Sequence, residues 1–77
     1  VGSEMCIRDS TLPDNSPRVG DRIRDISMPG DAVLVAIIRD GQGRAPEREA
    51  ALEAGDELLF MISPNYEPDL VDLLAPR

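Results

Sequence analysis

Ala32-Val33-Leu34-Val35-Ala36-Ile37-Ile38-Arg39, followed at once by Asp40-Gly41-Gln42-Gly43, is the stretch on which the fold turns. Its apolar part, Ala32 to Ile38, is rich in β-branched residues and bounded by turn formers, Met28-Pro29-Gly30-Asp31 before and Asp40-Gly41 after. That combination predicts a strand buried on both faces. Val33, Val35 and Ile37 would point one way, Leu34 and Ile38 the other. Seven apolar residues fall far short of the ~20 a membrane helix needs, so direct membrane insertion is not expected. Asp-Gly after an apolar run predicts a hairpin, with Arg44 to Pro46 as a short returning strand that Pro46 ends.

Upstream, Val19, Ile23 and Ile26 fall at i, i+4 and i+7 and predict a two-turn helix, with Asp21, Arg22, Arg24 and Asp25 on its wet face. Met28-Pro29-Gly30-Asp31 ends it. Downstream, Glu47 to Ala54 fits either one helical turn or a short strand, and we read it as a short strand or turn. Gly55-Asp56 is a tight turn, and Glu57 to Ile62 a second buried strand stopped by Ser63-Pro64. From Glu67 or Pro68 a closing helix runs to Leu74, with Leu70, Leu73 and Leu74 as its apolar stripe and Pro68 in its first turn. The sum is an α+β domain: a short helix, two main strands with a hairpin, and a closing C-terminal helix.

The 77-residue chain has room for one domain. Only Phe60 and Tyr66 are aromatic, so the core must be aliphatic. Eight Arg and no Lys stand against 15 acids, a net charge of −7. Such a surface repels phosphate and excludes nucleic acid as a partner. With no His, histidine acid–base chemistry and the usual zinc sets are absent. Cys6 is alone, so no intrachain disulfide forms and a reducing compartment is expected. Gly41-x-Gly43 lacks the third glycine and the following helix of a dinucleotide fingerprint. Ser27 and Ser63 have no His partner, and Glu47, Glu49, Glu53, Asp56 and Glu57 read as a solvated acidic face with no metal site. An enzyme is not expected.

Val1 to Ser10, VGSEMCIRDS, has neither a 3.6 nor a 2 period. The string resembles a translated sequencing adaptor, so residues 1–10 are expected to be non-native and to add nothing to stability, and Cys6 is not read as nucleophile or ligand. A true N-terminal strand at Met5 to Ile7 is the alternative. Residues 11–77 then form the domain.

Four blocks in order carry a family resemblance: Ser16-Pro17-Arg18-Val19-Gly20, Ile23-Arg24-Asp25-Ile26, Ala32 to Gly41, and Leu52-Glu53-Ala54-Gly55-Asp56-Glu57-Leu58-Leu59-Phe60. Together they resemble the TrkA C-terminal domain, the C-terminal regulatory domain of K⁺-conductance regulators. The resemblance covers Thr11 to Pro76. It implies a cytoplasmic domain that follows a nucleotide-binding Rossmann domain in potassium uptake systems and related cation transporters, dimerises, and senses a small ligand. The family domain opens with a strand of which only Thr11-Leu12 could be a remnant here, so the domain is expected to be truncated at its start. No cofactor is expected in this chain, since a nucleotide would occupy the absent Rossmann domain. Expected partners are a second copy, a membrane potassium transporter subunit through the parent protein, and a small molecule.

The two-faced strand needs cover that two small helices cannot fully supply. Core packing and a dimer interface are equally open for it. An interfacial ligand pocket would draw on Ile23, Ile26 and Met28 from the short helix and Val33, Val35 and Ile37 from the strand, with Arg24 or Arg39 meeting an anion. Some relatives bind cyclic di-AMP, but the Met28–Asp31 link carries no cation, so a cyclic dinucleotide is not expected. A purely structural dimerisation module without ligand is the alternative function.

Overall fold

The computed structural model describes residues 4–76. Asp40 and Gly41 both take positive φ, 54° and 76°, and form a two-residue turn whose twist matches the strands it joins. It connects Val33–Arg39 to Gln42–Arg44 and pairs Arg39 with Gln42 directly. The returning strand therefore starts at Gln42 and ends at Arg44, two residues earlier than the sequence pattern predicts. With Cys6–Thr11 as β1, Val33–Arg39 as β2, Gln42–Arg44 as β3 and Glu57–Ile62 as β4, the sheet has the order β1-β4-β2-β3. All its pairings are antiparallel.

One face of this sheet is packed. Leu58, Phe60 and Ile62 of β4 alternate inward and are almost wholly buried, beneath Leu70 and Leu74 of the closing helix α1 (Glu67–Leu74). The helix follows a 3-10 turn at Pro64–Tyr66, with Pro68 in its first turn as predicted. Leu12, Ile26, Ala32, Leu34, Ile37 and Leu52 complete the aliphatic core.

Three expectations are corrected. First, β2 is not buried on both faces: Val33 and Val35 are 51% and 40% exposed, while Leu34 and Ile37 are buried. No described element packs on the face of Val33 and Val35, and a register shift between Leu34 and Ala36 puts Ile37 on the packed face with Leu34. Such a bulge adds a residue, so side chains three apart share a face and simple alternation fails. Second, the expected helix over Val19–Ile26 is only a 3-10 turn, Ile23–Asp25. Its amides are taken by another segment. Gly20 N–H donates to Leu52 O, Ile23 N–H to Ala50 O and Arg24 N–H to Arg48 O, and Arg22 bridges Ala51. The two connecting loops thus brace each other as a miniature ladder, and Val19 stays exposed.

Third, the decapeptide expected to lie outside the fold supplies β1. Cys6–Thr11 pairs with β4 along its whole length, Cys6 with Ile62 through Thr11 with Glu57. Backbone groups make a ladder whatever the side-chain period, so a missing period does not exclude a strand. Whether the segment adds to stability is read from the urea midpoint of a chain without residues 1–10.

The link before β2 is pinned by a glycine. Gly30 has φ 54°, and a Cβ there would overlap the Tyr66 ring. Next to it, the Ser63 amide donates to Asp31 Oδ1 at 3.0 Å and the Ser63 hydroxyl donates to Oδ2. We expect Gly30→Ala to cost about 2 kcal/mol or more, since left-handed strain and a clash coincide. Gly41→Ala, with open space around it, should cost about 1 kcal/mol, the strain alone. Urea midpoints of the two variants check this, and equal losses would remove the Tyr66 contact from the account.

Candidate functional site

Arg39, at the end of β2, is a predicted site residue, and the structure turns its side chain inward. Its Nε donates to Asp56 Oδ1 at 2.8 Å and its Nη2 to Asp56 Oδ2 at 2.7 Å, a bidentate fork. Nη2 also donates to Ala51 O at 3.2 Å, and Nη1 pairs with Glu53 at 2.9 Å. Asp56 is only 1% exposed and accepts a further bond from the Glu53 amide. The Arg39 guanidinium, outweighing burial, holds the Asp56 carboxyl below the usual aspartate range, and Asp56 in turn raises Arg39. Asp31 is likewise lowered by the hydroxyl and amide of Ser63.

The other predicted residues divide between two faces. Ile26 and Ile37 are core, with Ile23 and Met28 packed against it. Val33 and Val35 lie on the bare sheet face. Arg24 is exposed and bonded to Glu49 at 2.8 Å. Neither of two cavities among the described residues gathers them all. A concavity of about 290 Å³ holds Ile37 and Arg39 with Arg44, Ala45, Glu47 and Ala50, and a groove of about 350 Å³ lies between the end of β1 and the end of α1.

The feature the sequence reading missed is a row across the bare face. Ile7 pairs with Met61, and Met61 with Val33, so three exposed apolar side chains stand side by side on β1, β4 and β2. Val35 extends the row. The alternation of Glu57-Leu58-Leu59-Phe60-Met61-Ile62 carries the signal: once Leu58, Phe60 and Ile62 go inward, Leu59 and Met61 must face out. At the far end of the face, Asp9 lies diagonal to Glu57, and hydrogen bonding with Asp9 pushes the Glu57 carboxyl up.

The TrkA-C domain model matches residues 7–75 of this chain. The chain belongs to the TrkA-C domain family. It is 46% identical over 66 residues to the Trk system potassium uptake protein TrkA of Mycobacterium tuberculosis, in strains CDC 1551 / Oshkosh and ATCC 25618 / H37Rv. Those alignments take in 86% of this chain and 30% of each relative, so it spans under a third of their length. Its fold is that of a solved "RCK domain with cda", at TM-score 0.79 and 22% identity, over 96% of this chain and 100% of that one. As a TrkA-C domain, it presents Arg39 as a tie within the domain, with four of its five N–H donors already engaged.

Asp56→Asn is therefore expected to cost about 3 kcal/mol, because it strands a largely buried guanidinium. Arg39→Lys should cost less, keeping the charge while losing the fork. Since the Asp56 pKa is depressed, its contribution is full above the ordinary aspartate value of about 3.9 and is lost as pH falls through the lower folded value. The wild-type urea midpoint should drop below about pH 4. A midpoint that stays level down to about pH 3 would show that the pair does not govern acid stability.

Proposed function

We propose that this TrkA-C domain is the C-terminal regulatory module of a potassium uptake subunit, cytoplasmic and non-enzymatic, that pairs with a second copy through its bare sheet face. The observation that carries the reading is the uncovered row Ile7, Met61, Val33 and Val35. A chain this small exposes such a row at a cost in solubility unless something covers it. Like surfaces meet about a two-fold axis in the commonest closed assembly. A two-fold lying in the interface and running across the strands also sets the acidic end, Asp9 and Glu57, away from its counterpart in the other copy. The 46%-identical potassium uptake relatives supply the system. The partner at the membrane would be a transporter subunit reached through the parent protein, since among the described residues no helix is long and apolar enough to cross a membrane.

Ligand sensing is the finer part of this reading. A small molecule would bind where the paired faces leave a gap beside Val33 and Val35, and the domain itself would carry no cofactor. One observation favours the alternative of pairing without ligand. Arg24 and Arg39, the expected anion contacts, are both engaged by acids of the same domain.

Sedimentation at rising concentration tests the pairing. The wild type should move from monomer to dimer by hundreds of micromolar. Val33→Asp should remain monomeric with unchanged circular dichroism, because the site is exposed. Val35→Asp should also fold, the reverse of what a doubly buried strand implies. A wild type that stays monomeric throughout would end the reading.

A further inference from the structure

We propose that the outer edge of β4 is a strand-addition site read through its main chain, and that the occupant it prefers is an extended, basic, proline-free segment. Such sites take affinity from ladder hydrogen bonds and selectivity from side chains flanking the edge.

The chain's own β1 fills the edge without contributing to the core. Cys6, Ile7, Arg8, Asp9 and Thr11 are exposed and Ser10 is half-buried, while no β1 residue joins the core cluster. What β1 completes is the ladder of β4, the strand whose Leu58, Phe60 and Ile62 are buried. Leaving those main-chain groups unpaired beside an apolar core is unfavourable, so the edge calls for a strand. It has little means of asking for a particular apolar sequence.

Charge supplies the selectivity. Glu67 stands over the inner side of β1 and Glu57 beside its outer side. On the inner side Arg8 meets Glu67 at 2.8 Å. On the outer side Asp9 lies diagonal to Glu57, a like-charge pair. The resident strand is thus matched to the edge at one position and mismatched at the next. A cation at position 9 would face Glu57 as Arg8 faces Glu67. β1 holds its place because it is tethered: Leu12 N–H donates to Asp56 O at 2.8 Å and Gly55 N–H to Leu12 O at 2.9 Å. That tether gives a poorly matched segment a high effective concentration.

The test uses the full chain. Asp9→Lys should raise Tm by roughly 2–6 °C, as a repulsive cross-strand pair becomes attractive. Asp9→Asn should fall between it and wild type, and the gain should vanish in molar salt. Measured at low micromolar concentration, where the chain is monomeric and the bare face is unpaired, Ile7→Thr should change Tm by no more than about 2 °C, within the range of an exposed substitution. To free the edge, Arg8→Pro and Asp9→Pro are made in parallel, since of two adjacent residues one belongs to a hydrogen-bonded pair. A fluorescent peptide of residues 5–12 carrying Asp9→Lys should bind the variant with the freed edge at least tenfold tighter than the same peptide with Asp9. Equal binding of the two peptides, no gain from Asp9→Lys, or a larger loss from Ile7→Thr would overturn the proposal. If both proline variants fail to fold, the Tm order of Asp9→Lys, Asp9→Asn, wild type and Ile7→Thr decides it alone.

Discussion

The fork between Arg39 and Asp56 fixes how the pieces of this domain meet. Arg39 ends β2, and Asp56 stands at the turn that launches β4. The same turn holds Leu12, at the exit of β1, through two main-chain bonds. One largely buried ion pair thus sets the relative placement of three strands. Its net stabilisation against an apolar pair of equal volume is modest, because both charges leave water. Its value lies in geometry. A planar fork meeting a carboxylate admits one arrangement, where an aliphatic contact admits several. A thin core, with eleven buried hydrophobic residues and no large aromatic but Phe60, has little else to select one packing over another.

That use of polar chemistry bears on function. Glu53, Asp56 and Ala51 engage four of the five N–H donors of the Arg39 guanidinium, and Glu49 holds Arg24. Two cations that could have met an anionic ligand are spent on holding loops. What the fold offers outward for association, besides its acids, is therefore the apolar row and main-chain edge. Among the described residues one eight-residue helix covers one face of four strands, and the loops 12–32 and 45–56 fill in around it. No described element crosses to the other face, so Ile7, Met61, Val33 and Val35 remain in the open.

Where local chemistry decides, the sequence was readable. Asp40-Gly41 dictates its own turn, Glu57 to Ile62 reads as a strand between the Gly55-Asp56 turn and Ser63-Pro64, and Pro68 with Leu70 and Leu74 marks the closing helix within a residue. Where a distant partner decides, it was not. The bulge in β2 arises from pairing with β4, and nothing in Ala32 to Ile38 announces the extra residue. The stripe Val19, Ile23, Ile26 has helical spacing, yet Leu52, Ala50 and Arg48 take part in its main-chain bonds. β1 was legible only as the alternative of a strand at Met5 to Ile7, for a different reason: a strand held by its backbone leaves no side-chain period. For the site, Arg39 stood out as a cation near the strand, but its acid lies 17 residues on, across the hairpin.

Two routes to self-association compete in a fold with bare edges and a bare face, and charge chooses between them. The outer edge of β1 carries Arg8 and Asp9, and β3 is three exposed residues ending at Arg44. Short or charged edges resist edge-to-edge growth, which would be open-ended and lead to aggregates. The face carries no such guard along Ile7, Met61 and Val33, and its acids sit at one end. Pairing by the face closes on itself after two copies. A net charge of −7 then keeps those closed pairs apart from one another. The distribution of charge therefore permits one association and opposes the rest, which is what a small domain needs if its partner is to be a single further copy.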